Sequence, residues 1–498
     1  MPEIIDSYGI VHIIKIVDKP LLLYQVNLPE FSDAEREVLT GAEKFINKEI
    51  ITESKKLITY DKRDNFLRKF LKEKITGQLE EARESTKNID ILTSLAISQF
   101  YGYDILGILL DDDKLEEVMV NGINVPAFVV HRTYGMCITN IGFDDDKTLN
   151  SVIQKIAKNV GREINEEYPL LDARLPDGSR VNVAMPPAAP GGTAITIRKF
   201  RQRPFSITEL IKSGTITSEL AAFLWVCVEG LGIRPINMII AGGAGSGKTT
   251  TLNAIASFIP QQERVITVED TLELNFKFLE DWIPLEATPS LLEKKSNITM
   301  DILVRNTLRM RPDRVIVGEV RGPEAISLLV AMDIGLNGSM GTLHANTARE
   351  TTTRMTQNPM NVPLAMMPLI DLIIVQNRVY TKTGGIKRII TEVAEVGRMT
   401  HNLVELGEIY DWNSEENKLM RTQYPIMLKD TIANSAGISK QELNMELKER
   451  EKVLKYMVDA NITENYEVLK IIWGYKNDFP GVMAEVQEYY MTIGFSNF

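Results

Sequence analysis

The sequence has few of the residues that build disulfide-linked or metal-centred proteins. Its 498 residues include two cysteines, Cys137 and Cys227, and four histidines. Two cysteines cannot supply a disulfide framework or a four-cysteine zinc site, and four scattered histidines do not suggest a histidine-rich metal centre. Both cysteines lie in apolar surroundings. We therefore expect them to be unreactive core residues of a protein in a reducing compartment.

Long apolar runs are also missing. A membrane-spanning helix needs about 18–20 predominantly apolar residues. The most apolar stretch, residues 220–241, is interrupted by Glu229, Arg234, Pro235 and Asn237. The first 20 residues carry charges throughout, which is not the pattern of a signal peptide. We expect a cytoplasmic protein that meets the membrane only through a partner.

The chain has no excess of positive charge. Its formal net charge is −11. Proteins that bind nucleic acid through its phosphates usually present a basic surface, and many add a stripe of aromatic residues for the bases. Neither pattern is found, so direct binding to nucleic acid is not expected. A ring-shaped translocase on nucleic acid is kept as an alternative of a different functional class.

The length predicts two or more domains. Residues 1–90 form a variable N-terminal region of β-structure and charged helices, and residues 91–200 form an α/β domain with an antiparallel sheet, in which an apolar helix is expected over residues 92–110. Residues 201–217 are interpreted as a linker. Residues 218–440 contain continuous apolar strands between helices, which indicates a parallel sheet covered on both faces. Residues 441–498 are a helical, charged tail.

A glycine-rich stretch has the pattern of a phosphate-binding loop. Its residues are Gly242, Gly243, Ala244, Gly245, Ser246, Gly247, Lys248, Thr249 and Thr250. A predicted strand precedes it and a predicted helix follows, as the G-x-x-x-x-G-K-[ST] motif requires. Glycines let backbone N–H groups converge on a di- or triphosphate at a helix N-terminus. Lys248 supplies a charge for the outer phosphates, and Thr249 a hydroxyl ligand for Mg²⁺. The alternative is a glycine-rich turn before an ordinary helix.

Acidic residues follow two further predicted strands. Glu269 and Asp270 follow residues 265–268, and Glu319 follows residues 315–318. Because the carboxyl ends of parallel strands line the ligand crevice of a doubly wound sheet, these acids can face the nucleotide. One carboxylate is needed to orient a water molecule and others to hold Mg²⁺. The alternative for each acid is the N-cap of a helix. We favour the functional role for Glu319 and Glu269 and leave Asp270 open.

His344 follows a turn of glycine and serine and a short strand, within residues 338–346. A single histidine is more often a structural residue with satisfied hydrogen bonds than a catalytic one. Its position in a chain with few histidines leaves both interpretations open.

Four stretches together resemble the secretion ATPases, the superfamily that drives type II and type IV secretion, type IV pili and the archaellum. The phosphate loop, VITVEDTLEL, RPDRVIVGEVRGPEA and GTLHANT are similar to the Walker A, Asp, Walker B and His boxes of that superfamily, in its order and spacing. The upstream segment IRKFRQRPFSITELIKSGTIT also resembles its linker. The resemblance covers residues 90–400 well and the first 90 residues poorly.

The resemblance implies a fold and a reaction. The fold is α/β, with a C-terminal RecA-like P-loop ATPase domain on a mainly parallel sheet, preceded by an α/β N-terminal domain with an antiparallel sheet. The reaction is Mg²⁺-dependent hydrolysis of ATP by a homo-hexameric ring. Arginines of a mobile N-terminal domain are expected to complete the site, and Arg174, Arg180 and Arg198 match them. For each arginine the alternative is an ordinary surface or ion-paired residue. His344 is expected to sense or stabilise the γ-phosphate.

The Walker B strand departs from the usual pattern because it ends in Gly318-Glu319 rather than Asp-Glu. No Walker B aspartate is therefore available for Mg²⁺. Thr249 and water are expected to hold the ion, with the candidate carboxylate ligands Glu269, Asp270 and Glu319. Which glutamate positions the attacking water is left open.

The C-terminal tail favours one branch of the superfamily. Bacterial type II secretion and pilus ATPases usually carry a tetracysteine zinc module, which two cysteines exclude. The tail ELKEREKVLKYMVDANITENYEVLKIIWGYKNDFPGVMAEV resembles archaeal members, the archaellum motor ATPase and its pilus-assembly relatives. The implied protein powers a filament through a polytopic membrane platform protein and other components of that machine, at the cytoplasmic face of the cell membrane. The alternatives are a conjugation or tight-adherence type secretion ATPase and a regulatory switch that binds ATP but hydrolyses it poorly.

Overall fold

The computed structural model describes residues 2–57, 60–200, 203–288, 298–380, 386–401 and 403–493. The chain divides into two compact units, Met1–Arg201 and Gln202–Phe498. Residues 201 and 202 of the predicted linker lie outside the described residues. None of the helices in the described ranges combines the length and the apolarity that a membrane span needs.

The first unit is built on a nine-stranded sheet. Its strands are β1 (Glu3–Tyr8), β2 (Val11–Lys15), β3 (Leu22–Val26), β4 (Leu115–Asn121), β5 (Pro126–His131), β6 (Gly135–Gly142), β7 (Leu170–Arg174), β8 (Arg180–Ala184) and β9 (Ala194–Arg198). They lie in the order β1-β2-β3-β6-β5-β4-β9-β8-β7, and all neighbours are antiparallel except β3 and β6. The predicted antiparallel sheet of an α/β domain is confirmed.

Helices of the first unit form two groups. They are α1 (Asp33–Gly41), α2 (Lys48–Lys55), α3 (Tyr60–Glu81), α4 (Ile89–Tyr101), α5 (Leu106–Asp111) and α6 (Asp146–Asn159). Apolar residues of α1, α3 and α4 form a small core of their own, whereas α5 and α6 pack on the sheet. The single helix predicted over residues 92–110 is wrong. The chain breaks at Gly102, whose left-handed φ of 83° ends α4, because an L side chain rarely adopts that conformation.

The boundary predicted at residue 90 does not divide the sheet. Strands β1, β2 and β3 precede that boundary and nevertheless form one end of the nine-stranded sheet. The junction is the parallel pairing of β3 with β6, in which Leu22 lies opposite Cys137. Parallel partners need a long connection and leave no hairpin signal in the sequence. The first 26 residues therefore extend the same sheet as residues 115–198.

The second unit contains another nine-stranded sheet. Its strands are β10 (Met238–Ala241), β11 (Val265–Glu269), β12 (Trp282–Glu286), β13 (Arg314–Val320), β14 (Met340–Leu343), β15 (Leu372–Tyr380), β16 (Ile386–Thr400), β17 (Leu403–Asn413) and β18 (Lys418–Arg421). The order is β12-β11-β13-β14-β10-β15-β16-β17-β18. Neighbours from β12 to β15 are parallel, and those from β15 to β18 are antiparallel. The RecA-like domain with a mainly parallel sheet is confirmed.

Helices cover both faces of this second sheet. They are α7 (Ile207–Lys212), α8 (Ser218–Glu229), α9 (Lys248–Ile255), α10 (Met300–Thr307), α11 (Glu324–Asp333), α12 (Ala348–Thr356), α13 (Met427–Ala436), α14 (Lys440–Asp459), α15 (Asn465–Asn477) and α16 (Phe479–Thr492). One core joins the sheet to α7, α8, α9 and the C-terminal helices, and the other joins it to α10, α11 and α12. The predicted linker thus contains α7, whose Ile207 and Leu210 are buried.

The C-terminal helices are held to the same unit by a buried arginine. Arg450 of α14 is 4% exposed, and its Nη1 lies 2.6 Å from Oε2 of Glu229 at the end of α8. Its guanidinium also lies over the rings of Trp225 and Tyr475, 4.8 and 5.4 Å from their centres. A desolvated ion pair with two aromatic contacts fixes α14 against α8 and α15.

Both cysteines are buried free thiols. Burial raises the pKa of the Cys137 thiol to about 11 and also raises the pKa of the Cys227 thiol. Because the thiolate is the reactive form, neither side chain is suited to redox or nucleophilic chemistry.

Candidate functional site

The glycine-rich loop joins β10 to α9, as its sequence predicts. Strand β10 ends at Ala241, and α9 begins at Lys248. Gly245 and Gly247 have left-handed φ values of 67° and 95°. Only glycine takes such values readily, so these two residues allow the backbone to curl over the first turn of the helix. Backbone N–H groups at that turn have no partner within the helix, which makes the turn suited to an anion.

Two glycines of the loop are also required by close packing against β15. A Cβ on Gly242 would lie 2.1 Å from the carbonyl oxygen of Gln376, and one on Gly247 would lie 2.8 Å from Nε2 of Gln376. Gln376 is 1% exposed, and its Oε1 accepts a 2.5 Å hydrogen bond from the hydroxyl of Thr251. It therefore supports the loop from outside. Nothing in the sequence marks this residue, which lies 125 positions from Thr251.

Lys248 and Ser246 present polar groups that fit a polyphosphate. Lys248 is 7% exposed, and its Nζ donates to the carbonyl of Gly243 at 3.1 Å. The Oγ of Ser246 is buried and has no hydrogen-bond partner among the described residues. A buried hydroxyl without a partner is unfavourable unless a ligand or water supplies one. Thr249 and Thr250 follow Lys248 in the first turn of α9.

Carboxylates and a histidine meet at the carboxyl ends of the neighbouring parallel strands. Nε2 of His344, which follows β14, lies 2.5 Å from Oε1 of Glu319 in β13. The other oxygen of Glu319 contacts the guanidinium of Arg321, whose Nη1 lies 3.4 Å from Oδ2 of Asp270. On the other side, Nδ1 of His344 lies 3.5 Å from Nζ of Lys248. The structure thus connects all four sequence boxes through one chain of polar contacts.

The surroundings of His344 favour its neutral imidazole form. Burial lowers its pKa, and the nearby ammonium of Lys248 lowers it further. An ammonium can only donate, so the Nδ1 that faces it is the acceptor and the proton lies on Nε2, towards Glu319. The contact with Glu319 is close but poorly directed, since Oε1 has no hydrogen bond of good geometry among the described residues. A small shift of either side chain can therefore change it.

Glu269 occupies the space that a Walker B aspartate would need. A Cβ on Gly318 would lie 2.6 Å from Cγ of Glu269. Oε1 of Glu269 accepts hydrogen bonds from the backbone N–H groups of Glu273 and Leu274, at 2.9 and 3.0 Å. Its Oε2 is buried and has no partner in the described part of the chain. Burial is the main cause that raises the pKa of this carboxyl to about 8.

The four predicted Mg²⁺ ligands do not form a cage by themselves. Within the described ranges, no three His, Cys, Asp or Glu side chains are grouped as a metal site. Asp270 and Glu319 share Arg321, while Glu269 is buried beside Gly318 and Thr249 lies on α9. Mg²⁺ at phosphate sites usually keeps several waters and takes one or two carboxylates together with the phosphates of the substrate. These residues fit that incomplete donor set.

The three predicted arginines lie side by side in the first unit. Arg174 pairs with Arg180 across β7 and β8, and Arg180 pairs with Arg198 across β8 and β9. Paired residues of adjacent strands share a face, so the arginines form a row across three strands. Arg180 also makes a two-bonded contact with Asp172, at 3.2 and 2.9 Å. The sequence does not reveal this row, because its members come from three separate strands.

Known proteins resemble this chain over part of its length. The uncharacterised protein MJ0781 of Methanocaldococcus jannaschii is 47% identical over 277 residues, which are 53% of this chain and 38% of that protein. A putative conjugal transfer protein of Mycobacterium tuberculosis, MT3759, is 32% identical over 275 residues, 53% of this chain and 76% of that protein. Among solved structures, the VirB11 ATPase of the Brucella suis type IV secretion system is 26% identical, with a TM-score of 0.30, over 61% of this chain and 96% of that one.

The family match covers the site. Residues 106–402, more than half of the 498-residue chain, match the family described as Type II/IV secretion system protein. That range includes the glycine-rich loop, both acidic strand ends, His344 and the three arginines of the first unit. The chain therefore belongs to the Type II/IV secretion system protein family.

Proposed function

We propose that the protein is a Mg²⁺-dependent ATPase that acts as a homo-hexameric motor of an archaeal type IV pilus-like filament or archaellum. The observation that carries the proposal is the chain of contacts from Lys248 through His344 to Glu319. It joins the residue that holds the outer phosphates to a carboxylate that can act on water. A glycine-rich turn with only a structural role would not need this connection.

The phosphate loop binds and orients the triphosphate. Backbone N–H groups and Lys248 hold the phosphates. The hydroxyl of Ser246, which has no hydrogen-bond partner among the described residues, gains an acceptor. Mg²⁺, when bound with the nucleotide, neutralises charge on the transferring phosphoryl group. Thr249 offers the ion a hydroxyl oxygen, and Asp270 is the candidate carboxylate for its water shell. His344 contacts both Lys248 and Glu319, so it can sense whether the γ-phosphate is present.

Glu319 is our choice for the residue that orients the attacking water. Its side chain is 16% exposed and lies between the imidazole of His344 and the guanidinium of Arg321. Glu269 is a weaker candidate because its raised pKa of about 8 keeps it largely protonated at neutral pH. A protonated carboxyl cannot accept a proton from water. Glu269 is better suited to shaping the site beside Gly318.

The arginines of the first unit are proposed to complete the site. Arg174, Arg180 and Arg198 form a row on one sheet, which could present several guanidinium groups to one anion together. An added guanidinium stabilises the charge that develops during phosphoryl transfer, and it makes hydrolysis depend on domain closure. In this way the motor would convert each hydrolysis step into a movement of the first unit.

The proposed partner is a polytopic membrane platform protein at the cytoplasmic face of the cell membrane. Cytoplasmic loops of such proteins are rich in lysine and arginine, which suits a chain of net charge −11. The similarity to a Methanocaldococcus jannaschii protein supports the archaeal branch. The similarity to a putative conjugal transfer protein favours the second candidate, a secretion ATPase of the conjugation or tight-adherence type.

The motor can be tested by measuring ATPase rate per subunit against protein concentration, with sizing in the apo, ADP and ATP-analogue states. A ring predicts a rate that climbs with concentration together with a large species that depends on nucleotide. Lys248→Ala should abolish nucleotide binding and the assembly that depends on it. A constant rate from a persistent monomer would leave an ATPase but exclude the ring motor.

A further inference from the structure

Two arginines lie beside the phosphate loop on the side away from Glu319 and His344. Strand β10, which leads into the loop, has β14 as one neighbour and β15 as the other. His344 follows β14, and Glu319 lies one strand further, on β13. Arg378 on β15 and Arg388 on β16 are directly opposite each other in the antiparallel pair. Both are exposed.

Both guanidinium groups reach the rim of the loop. Nε of Arg388 donates to the carbonyl of Gly245 at 2.9 Å. A Cβ placed on Gly245 would lie 3.7 Å from Nη1 of Arg378, and one on Gly247 would lie 3.5 Å from Cδ of Arg388. The alternation of a strand puts Arg378 on the same face as Gln376, which supports the loop. The two arginines therefore flank the cradle rather than the outer surface of the sheet.

Arg378 has a second positive charge, that of Arg388, as its cross-strand neighbour. Like charges directly opposite each other destabilise an antiparallel pair. Within the described ranges, Arg378 makes no ion pair or side-chain hydrogen bond, whereas other arginines near the site, such as Arg321, contact carboxylates. An anionic ligand at the rim of the loop would give the guanidinium of Arg378 a partner of opposite charge.

We propose that Arg378 and Arg388 bind the α-phosphate of the nucleotide. The inference rests on the proposed function, in which the loop holds a nucleoside triphosphate. Lys248, His344 and Glu319 mark the γ-phosphate end on the side of β14 and β13. The remainder of the nucleotide must therefore leave the cradle on the side of β15, where the arginines lie. A guanidinium suits this role, because its parallel N–H groups match two phosphate oxygens.

The test uses the full chain with Arg378→Gln, Arg388→Gln and the double substitution. Lys387→Gln is the matched control, since it removes the same charge one residue away, on the opposite face of β16. Calorimetry gives the Kd of ADP, competition gives the affinity of inorganic phosphate, and steady-state assays give kcat. We expect each arginine substitution to raise the Kd of ADP about tenfold. The affinity for inorganic phosphate and kcat should stay at their wild-type values, because the α-phosphate contact is the same in the ground state and in the transition state.

Two results would overturn the inference. ADP affinity equal to that of the wild type in the double variant would show that no contact is made. Equal losses of ADP affinity, phosphate affinity and kcat would show that Arg388 only braces the loop through Gly245. If the wild-type chain binds ADP and the variants give either of these two results, the α-phosphate site is refuted and the proposed function is left intact. A wild-type chain that binds no nucleotide would refute both.

Discussion

A methyl group at position 318 would test the close fit between β13 and the side chain of Glu269. The Cβ of alanine would lie 2.6 Å from Cγ, 3.1 Å from Oε1 and 3.3 Å from Cβ of Glu269. Glu269 cannot move freely, because its Oε1 accepts two backbone hydrogen bonds and the side chain is buried. Gly318 does not have a left-handed φ, so alanine introduces no backbone strain of its own.

The expected loss of stability follows from that overlap. Forcing an extra methyl group into a packed core costs about 1–3 kcal/mol. Relief by rotation of Glu269 would lose hydrogen bonds worth about 1 kcal/mol each. We therefore expect Gly318→Ala to lower the free energy of unfolding by about 2–3 kcal/mol. In a Glu269→Ala background the methyl group has space, and the same substitution should be nearly neutral. The coupling energy between the two positions is then about 2 kcal/mol.

The assay is urea denaturation followed by tryptophan fluorescence. All four tryptophans, Trp225, Trp282, Trp412 and Trp473, belong to the second unit, so the signal reports the unit that contains both residues. The wild type, the two single variants and the double variant complete the thermodynamic cycle. A loss below about 0.5 kcal/mol for Gly318→Ala, with no coupling to Glu269, would refute the steric account of the missing Walker B aspartate.

Three further predictions concern charge. The pKa of Glu269 is raised to about 8 from an ordinary 4.5, so between those pH values the folded chain binds more protons than the unfolded chain. The free energy of unfolding should therefore fall by up to about 1.4 kcal/mol per pH unit as pH rises from 5 to 8. Glu269→Gln should remove that slope in urea titrations. Arg450→Ala should cost about 3 kcal/mol by the same assay, because among the described residues it leaves the buried Glu229 with the single cation Lys476, 3.6 Å away. An unchanged midpoint would contradict this. Arg180→Ala should lower kcat about tenfold without changing the melting temperature, since the side chain is half-exposed; unchanged turnover would remove Arg180 from the site.

Local patterns in the sequence predict the chemistry at the strand ends well. The phosphate loop, Glu269, Glu319 and His344 each follow an apolar run, and each lies at the carboxyl end of a parallel strand in the structure. Their meeting follows from one physical rule, because parallel strands present those ends at one edge of the sheet. The contacts between boxes, such as that of His344 with Glu319, follow from the same rule once the strand order is known.

Other features depend on contacts between distant segments and leave no local signal. The parallel pairing of β3 with β6 joins residues that are more than 100 positions apart. Gln376 supports two loop glycines from a strand that carries no recognisable motif, and Arg388 reaches Gly245 from a further strand. The glycine at position 318 reads as a missing aspartate in the sequence. The structure gives the reason for this glycine, because the side chain of Glu269 on the neighbouring strand β11 fills the space that a larger residue would need.

The most direct test of the account is the single-turnover hydrolysis of ATP by Glu319→Gln, with ATP binding measured on the same sample. Glutamine keeps the shape of the side chain but cannot activate water. The account therefore predicts an ATP affinity close to that of the wild type and a hydrolysis rate reduced at least about 100-fold. Lys248→Ala is the control that should lose ATP binding itself. Hydrolysis by Glu319→Gln at the wild-type rate would contradict the assignment of Glu319 and, with it, the proposed mechanism.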